Sequence, residues 1–556
     1  MRRRGLLLRA VLVGLAWLLS LPMLGVLGAW LGADAASLGL LVEQAQTVLP
    51  GYAQQSFALV LAVALGVALV GGATAAAVTL FEFPGRRVFE WALLLPLAMP
   101  AYVLAYAYTD ALQYSGPLQV ALRSWTGARG ALWPDIRSLG GAALLFIACL
   151  YPYVYLLVRT ALAEQAAPMM EAARLLGATL RRRVLEVALP MARPALAAGV
   201  ALALMETLAD YGVGSYFGLT TFTTGIYKAW LVLDDHVAAA ELASVLLVVV
   251  ALLLWAEQRA QARIRFAGNR PGAPGGSGAG MAARPFTLQG GARLVAWGVC
   301  GLPVLLGFVL PVGWLLRLLW RETGGGDAGP ASPLLAANYL ARFAEWAWAS
   351  FRLAAAAAAA AVFFALLLAF ALRRAQGQRA HWLRGAVRIV SLGYAVPGAV
   401  VAVGILLWVG AVQRLAPSWG LPALVTGTVF GLLYAYLVRF SAVALQSVQA
   451  GYARVPPSID ESARLLGAGR RRTFVELHLP LLGRTAIAAA LLVFVDTMKE
   501  LPATLVLRPF GSDTLAVVAY QFARDERLAE AALPSLAIVA VGLIPVMLLS
   551  RALRSR

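Results

Sequence analysis

Runs of about 20 apolar residues recur along the chain, and they limit its fold more than any other feature of the sequence. A helix of ~20 residues rises about 30 Å, which is the thickness of the hydrocarbon core of a bilayer. The runs are apolar on every side, which favours helices over the alternating strands of a transmembrane barrel. We predict an all-α integral membrane protein with about twelve spans, at 9–31, 56–80, 90–112, 139–162, 194–214, 238–257, 293–320, 350–372, 386–412, 420–440, 484–506 and 531–551.

The composition agrees with a polytopic membrane protein. Of the 556 residues, 61% are hydrophobic and 13% are charged, with a mean hydropathy of +0.77. A soluble chain of this length could not bury so much apolar surface with so few charges. The first apolar run follows a basic start, as in a signal peptide, but its roughly 20 residues exceed the usual ~7–15. We therefore expect a retained span. Cys149 and Cys300 lie inside apolar runs, so we expect neither a disulfide nor a thiolate metal site.

The net charge of +19 reflects where the arginines stand relative to the predicted spans. Arginines such as Arg86, Arg182 and Arg471 collect on one side, whereas acidic residues such as Asp234 and Asp513 lie on the other. Basic loops face the cytoplasm, so this pattern predicts that both termini are cytoplasmic. The charge then needs no nucleic-acid partner, and the surrounding lipid is the expected environment.

A Gly- and Pro-rich stretch divides the sequence. GNRPGAPGGSGAG, at 268–280, has no apolar periodicity and is typical of a flexible linker. It predicts a first half at 1–257, a cytoplasmic linker at 258–292 and a second half at 293–556, each half with about six spans.

The two halves carry one segment in common. EAARLLGATLRRRVLEVALP at 171–190 and ESARLLGAGRRRTFVELHLP at 461–480 are identical at 12 of 20 positions, with an offset of 290 residues. Such self-similarity indicates an internal repeat. Six spans separate the copies, so both copies face the same compartment and the repeat is parallel, not inverted.

The shared segment predicts two short helices joined at a glycine. In the second copy, Ser458 and Glu461 fit a capping box, and in the first copy Pro168 can begin the helix. Gly467 would end this helix, and an amphipathic Arg-rich helix would then run to Pro480. A basic loop resting on anionic headgroups is the alternative interpretation, and the agreement between the two copies favours a docking element.

The pattern E-A-A-x3-G followed by L-P resembles the EAA loop of binding-protein-dependent ABC transporter permeases, with Ser462 departing from it in the second copy. The resemblance covers essentially the whole chain and implies a type I ABC importer permease fold with two fused halves. Three further segments, at 95–112, 206–230 and 496–528, look like the ferric iron permeases of this superfamily. Fused thiamine permeases share the layout, so thiamine stays open as the substrate.

This resemblance implies the partners and the coupling residues. Loops at 163–193 and 452–483 would each bind one of two cytoplasmic ATPase subunits, and a periplasmic binding protein would deliver the substrate to a bacterial inner membrane. The residues that match the motif are Glu171, Ala173, Arg174, Gly177, Glu461, Ala463, Arg464 and Gly467. ATP and Mg²⁺ would be bound by the ATPase, because neither Lys228 nor Lys499 follows a glycine as a P-loop requires. The chain itself is expected to bind no cofactor and to be no enzyme.

Ionisable residues also occur within two predicted spans. Glu206 with Asp210, and Asp496 with Glu500, are spaced by four residues, which predicts one shared helix face per pair. Such charges cost at least ~2.5 kcal/mol in lipid, so we expect them to face a cavity or a partner, and Lys499 is a candidate partner for Asp496. Oxygen ligands suit ferric iron, so a cation passage is one hypothesis and a structural contact between helices is the other.

Other candidates are weaker. Tyr102, Tyr106 and Tyr108 could add oxygens to a passage, although aromatic packing explains them as well. The Asp234-Asp235-His236 sequence is more typical of a solvated loop than of a metal site, and we expect His381 and His478 at the surface. A proton-coupled secondary transporter is the alternative from another class, but it leaves the twin loops unexplained. A membrane enzyme lacks a nucleophile–base or His-rich constellation in the sequence.

Overall fold

The computed structural model describes residues 2–32, 39, 43, 46–163, 167–268, 286–325, 337–375 and 379–554. Within those ranges, eleven helices are long and apolar enough to cross a membrane, and a pair bent by 90°, Arg86–Ala98 with Ala101–Thr126, raises the number to twelve. The predicted helical class and number of spans are confirmed. Residues 269–285 of the predicted linker lie outside the described residues.

The first half of the sequence forms a series of helices. Their bounds are α1 Arg2–Gly28, α2 Leu49–Leu80, α3 Arg86–Ala92, α4 Ala101–Leu112, α5 Pro117–Thr126, α6 Leu139–Ala161, α7 Ala167–Leu175, α8 Leu180–Arg183, α9 Leu189–Ala209, α10 Gly212–Tyr216, α11 Phe222–Tyr227 and α12 His236–Gly268. Two strands of two residues each pair in parallel: Phe81–Glu82 (β1), and Phe286–Thr287 (β2) within the predicted linker.

The second half has a closely similar order of helices. Their bounds are α13 Gly291–Val304, α14 Leu310–Trp320, α15 Ala337–Arg374, α16 Arg379–Leu392, α17 Gly398–Leu415, α18 Leu421–Val425, α19 Val429–Tyr452, α20 Pro457–Leu465, α21 Arg470–Arg472, α22 Leu479–Lys499, α23 Pro502–Leu507, α24 Leu515–Arg524 and α25 Leu528–Arg554. α6 and α19 even begin alike, because the hydroxyls of Ser138 and Thr428 each accept a 3.2 Å hydrogen bond from a glycine N–H three residues on.

Two predicted spans are each broken near the middle at a proline. The span predicted at 90–112 contains α3, a 3₁₀ turn at Leu95–Ala98 and α4, and the chain is extended at Met99 and Pro100. Within the span predicted at 386–412, α16 ends at Leu392 and α17 begins after Pro397. The backbone at Pro397 is again extended. The reason is the same in both copies: the residue before a proline avoids the helical region, and proline lacks the N–H that would continue the helix.

The amphipathic helix of the shared segment does not end at Pro480 as predicted. In both copies the helix continues through the proline. It runs from Leu180 to Ala209 through Pro190, and from Arg470 to Lys499 through Pro480. A π-helical turn stands just before each proline, at Val184–Ala188 and Thr473–His478. The wider turn accommodates a ring and a missing N–H that would otherwise break an α-helix.

The chain forms two compact units, and each draws on both halves of the sequence. One unit contains Met1–Gln44, Gly225–Leu247 and Pro333–Gln521, and the other contains Ala45–Thr224, Val248–Ser332 and Phe522–Arg556. The predicted limits 1–257 and 293–556 therefore do not coincide with these units, and as boundaries of the repeat they stay a prediction.

Close helix contacts show how α1 joins the unit formed mainly by the second half. α1 packs along α17, where a Cβ on Gly25 would lie 2.6 Å from the carbonyl oxygen of Gly404. The two backbones can approach this closely only because both residues lack a side chain. In the same unit, the alanine run of α15 is buried at Ala354 and Ala357 against its neighbours.

Candidate coupling loops and membrane carboxylates

The two copies of the shared segment adopt the same turn. α7 and α20 are both followed by a glycine with positive φ, +79° at Gly177 and +76° at Gly467. The N–H of Gly177 bonds to the carbonyl of Arg174 at 3.0 Å, and Ala178 bonds to Ala173 at 3.0 Å. The second copy repeats these bonds between Gly467 and Arg464 and between Ala468 and Ala463, at 3.0 and 2.9 Å.

This pair of bonds is the Schellman motif, which needs a left-handed residue after the helix and therefore glycine. Within the described part of the chain, a Cβ at either glycine would meet no atom within 4 Å. Glycine is therefore required by the positive φ of the turn and not by lack of space for a side chain. The predicted helix–Gly–helix geometry of the motif residues is thus present in both copies.

A pair of leucines projects from each loop. Leu175 and Leu176 are 78% and 88% exposed, and Leu465 and Leu466 are 89% and 85% exposed. Apolar side chains exposed to this degree at the same two positions of a repeat indicate a surface that is covered by a partner. Beside them, Arg182 bonds to Glu186 at 2.8 Å and Arg472 bonds to Glu476 at 2.7 Å, which repeats the charge pattern as well.

The second loop rests on a buried polar network that the sequence did not suggest. His478, expected at the surface, is 1% exposed and lies 2.8 Å from Asp460 and 3.0 Å from the hydroxyl of Tyr452. Arg373 reaches the other oxygen of Asp460 at 2.6 Å and the carbonyl of Tyr452 at 3.0 Å. The network ties the loop helix α20 to α15, α19 and the start of α22.

The predicted capping box at Ser458 is wrong. α20 begins at Pro457 with Pro456 as its N-cap, and no side chain of the described residues caps it. Proline at the first position presets the helical φ, so no hydroxyl cap is needed. At the positions that match Asp460 and His478, the first copy has Met170 and Ala188, both buried, so its loop rests on apolar contacts.

Burial by itself raises the pKa of the Asp460 carboxyl, but the hydrogen bond from Arg373 and the nearby His478 outweigh it, so the pKa lies below its usual value. The carboxylate is therefore held in its charged form by its two partners.

The membrane carboxylates do not share helix faces as predicted. α9 ends at Ala209 and α22 ends at Lys499, so Asp210 and Glu500 come after the helices in extended backbone. Each carboxylate instead begins the next short helix: Asp210 accepts the N–H of Val213 at 2.7 Å. Glu500 accepts the N–H groups of Ala503 and Thr504 at 2.9 and 3.0 Å. The spacing of four residues therefore marks a helix end followed by a cap.

Glu500 has a further partner that sequence reasoning missed. Arg439, within α19, donates to it at 3.0 Å, and the Glu500 side chain is 1% exposed. An arginine inside the apolar run at 420–440 was a usable signal, because a charge in a span needs a partner. Glu206, Asp496 and Lys499 are half-buried near the ends of α9 and α22, and their role in a passage stays a prediction.

The tyrosines pack against one another. Tyr102 and Tyr106 are 4% and 1% exposed with ring centroids 5.8 Å apart, and Tyr106 meets Tyr216 edge-on at 4.9 Å. Asp235 caps α12 through the N–H of Ala238 at 2.9 Å. Among the described residues, no three His, Cys, Asp or Glu side chains gather in a way that could hold a metal ion.

A repeated bundle of membrane spans with two matching helix–Gly–helix loops defines a transport permease with two fused halves. The chain belongs to the family described as binding-protein-dependent transport system inner membrane component, which matches it twice, over 68–266 and 361–556. It is accordingly a multi-pass inner-membrane protein and a transport subunit.

Several curated proteins are similar to the chain. The Fe(3+)-transport system permease protein FbpB 2 of Haemophilus influenzae is 26% identical over 496 residues, 89% of this chain and 88% of that protein. The ferric transport system permease protein FbpB of Actinobacillus pleuropneumoniae is 25% identical over 78% of this chain and 61% of that protein. The sulfate transport system permease protein CysT of Salmonella typhimurium is 30% identical, but over 33% of this chain and 66% of that protein.

Proposed function

We propose that this chain is the membrane permease of an ATP-driven importer that moves ferric iron into the cytoplasm by alternating access. The assignment of ferric iron as the substrate rests on the extent of sequence similarity. A ferric iron permease is similar over 89% of the chain, both halves included, whereas the sulfate relative is similar over 33% of it. Thiamine and proton-coupled transport have no comparable support.

Two copies of a cytoplasmic ATPase would drive the cycle. Each would bind one loop, with the exposed Leu175–Leu176 or Leu465–Leu466 pair entering an apolar groove. ATP and Mg²⁺ would stay in those subunits, and both chain termini would be cytoplasmic, as the arginine distribution favours. Closure of the ATPases would push on the loops, and the rigid glycine turns would pass that displacement to α9 and α22.

The cargo would arrive from a periplasmic binding protein and pass oxygen-bearing side chains. Glu206 and Asp496 are the carboxylates proposed for the passage, because each is half-buried near the last turn of its helix. Glu500 has its oxygens engaged by Arg439 and by backbone donors, so we assign it a structural role. Ferric iron is a hard cation that prefers oxygen ligands.

The direct test is uptake of labelled ferric iron by cells with and without the chain, with labelled thiamine as the control. Loss of iron uptake alone on deletion supports the proposal, and loss of thiamine uptake alone would overturn the substrate. A strain with the chain but with an ATPase subunit inactivated separates the two mechanisms. Iron uptake that continues there would overturn an ATP-driven importer.

A further inference from the structure

An open cavity of about 520 Å³ lies in the unit that contains α1, the start of α12 and α17. It is lined by the last turns of α1, the first turns of α12 and the last turns of α17. Small residues leave the space: Gly25, Gly28 and Ala29 on α1, Ala240 on α12 and Ala411 on α17.

One buried carboxylate faces this cavity. Glu241 lines it and is 7% exposed, and its Oε2 has no hydrogen-bond partner among the described residues. A buried carboxylate oxygen without a donor costs more than one that is paired, so a ligand that supplies N–H groups to Oε2 would stabilise the site. At the start of α25, the corresponding helix of the second copy, the buried carboxylate already has a donor. Nε of Arg527 donates a 2.7 Å hydrogen bond to Oε1 of Glu530.

The rest of the lining has two kinds of surface. Trp30 and Trp408 contribute aromatic walls, and Trp30 is held by a 2.8 Å bond from its Nε1 to Ser244. Aromatic faces attract cations. Arg414 stands at the exposed end of α17 and adds a positive charge to the lining. A ligand that fits both has a positive group for Glu241 and a negative group for Arg414.

Exposed apolar side chains stand in and beside the cavity on the same helices. Leu24 and Leu27 on α1 are 44% and 47% exposed, and Val237 on α12 is 42% exposed. A soluble amine would gain nothing from this surface, whereas an acyl chain would cover it.

We propose that the cavity binds a membrane phospholipid with a primary ammonium headgroup. The ammonium donates to Glu241 between the two tryptophans, the phosphate meets Arg414, and an acyl chain lies along α1. A quaternary ammonium has no N–H to donate, so the site discriminates against it despite equal charge. The assignment is independent of the transported substrate.

The test uses the purified full-length chain, delipidated in detergent and titrated with defined lipids, with bound lipid counted by native mass spectrometry. Phosphatidylethanolamine should bind at least about tenfold more tightly than phosphatidylcholine or phosphatidylglycerol, since a hydrogen bond to a charged group is worth a factor of this order. Glu241→Gln should remove that preference. Asp234→Asn makes the same charge change at a 92%-exposed side chain seven residues away and should keep it.

A second variant covers the case in which Glu241→Gln does not fold. Arg414→Gln, at the exposed mouth, should weaken phosphatidylethanolamine binding several-fold and leave its preference over phosphatidylcholine intact. Equal binding of the three lipids by the unaltered chain, or loss of the preference in Asp234→Asn, would overturn the proposal. Competition by soluble glycerophosphoethanolamine at equal concentration would assign the site to a free amine and overturn the lipid.

Discussion

Nη1 of Arg439 in the middle of α19 lies 3.0 Å from Oε1 of Glu500, just after the end of α22. Both side chains are nearly inaccessible, at 12% and 1% exposure. The pair stands beside the break that begins α17, because a Cβ on Gly398 would lie 2.6 Å from that same Glu500 oxygen. One ion pair therefore joins the middle of α19 to the end of α22 beside the start of α17, which gives the broken span a defined position.

Removing one partner of this pair should cost more than removing both. Arg439→Met leaves Glu500 charged and buried, which we expect to cost about 3–5 kcal/mol of folding free energy. Combining it with Glu500→Gln should restore part of that loss. Thermal melting of the two single variants and the double variant in detergent measures the coupling. Additive losses would show that the two side chains do not depend on each other.

The network under the second loop should respond to acid. The pKa of Asp460 is lower in the folded protein than its usual 3.8, so its stabilisation is complete above that value and is lost as the pH falls through the folded-state pKa. The melting temperature of the unaltered chain should be insensitive to the Asp460 carboxyl between pH 5 and 8, and should fall in the acid range. Asp460→Asn should melt lower at pH 7 and lose part of that acid dependence. An unchanged acid slope would contradict the assignment.

The glycine turns should be needed for coupling but not for folding. Replacing Gly177 and Gly467 with valine forces a β-branched residue into left-handed backbone, at a cost of about 1–2 kcal/mol per site or a changed turn. We expect an inserted permease whose partner ATPase is no longer stimulated by substrate-loaded binding protein. The matched control is asparagine at the same two sites, which tolerates positive φ and should keep coupling. Full ATPase stimulation in the valine variant would defeat the docking interpretation.

The leucine pairs should contribute to partner binding alone. Leu176→Ser with Leu466→Ser removes two exposed apolar side chains, so the melting temperature of the isolated permease should stay within about 1–2 °C. Affinity for the ATPase should fall at least tenfold, because buried aliphatic anchors are worth roughly 1.5–3 kcal/mol each. Pull-down of the ATPase at matched salt concentration measures the affinity, and Leu415→Ser, at an 86%-exposed leucine outside both loops, is the control substitution.

The half-buried carboxylates of α9 and α22 should matter for transport. Glu206→Gln with Asp496→Asn keeps the shapes and removes both charges, so iron uptake should fall at least tenfold while the ATPase still binds the loops. A variant that transports normally would make these carboxylates structural and would require another passage.

The sequence alone determined the membrane class, the number of spans and the twin loops. Apolar runs of bilayer length permit little besides spanning helices, and the repeated glycine after a short helix predicts its own turn, since only glycine adopts that φ cheaply. These features depend on residues close together in the chain, where spacing and geometry are directly linked.

The tertiary structure decided the partners of the polar residues. Their spacing placed Asp210 and Glu500 in helix-face pairs, but the helices end one residue before each, and each carboxylate caps the next short helix. His478 was expected at the surface, yet it is buried on Asp460. Arg373 and Asp460 are separated by 87 residues, and Arg439 and Glu500 by 61, so no local pattern pairs them. A buried charge must find a partner wherever folding brings one, and only the assembled helices show which residue that is.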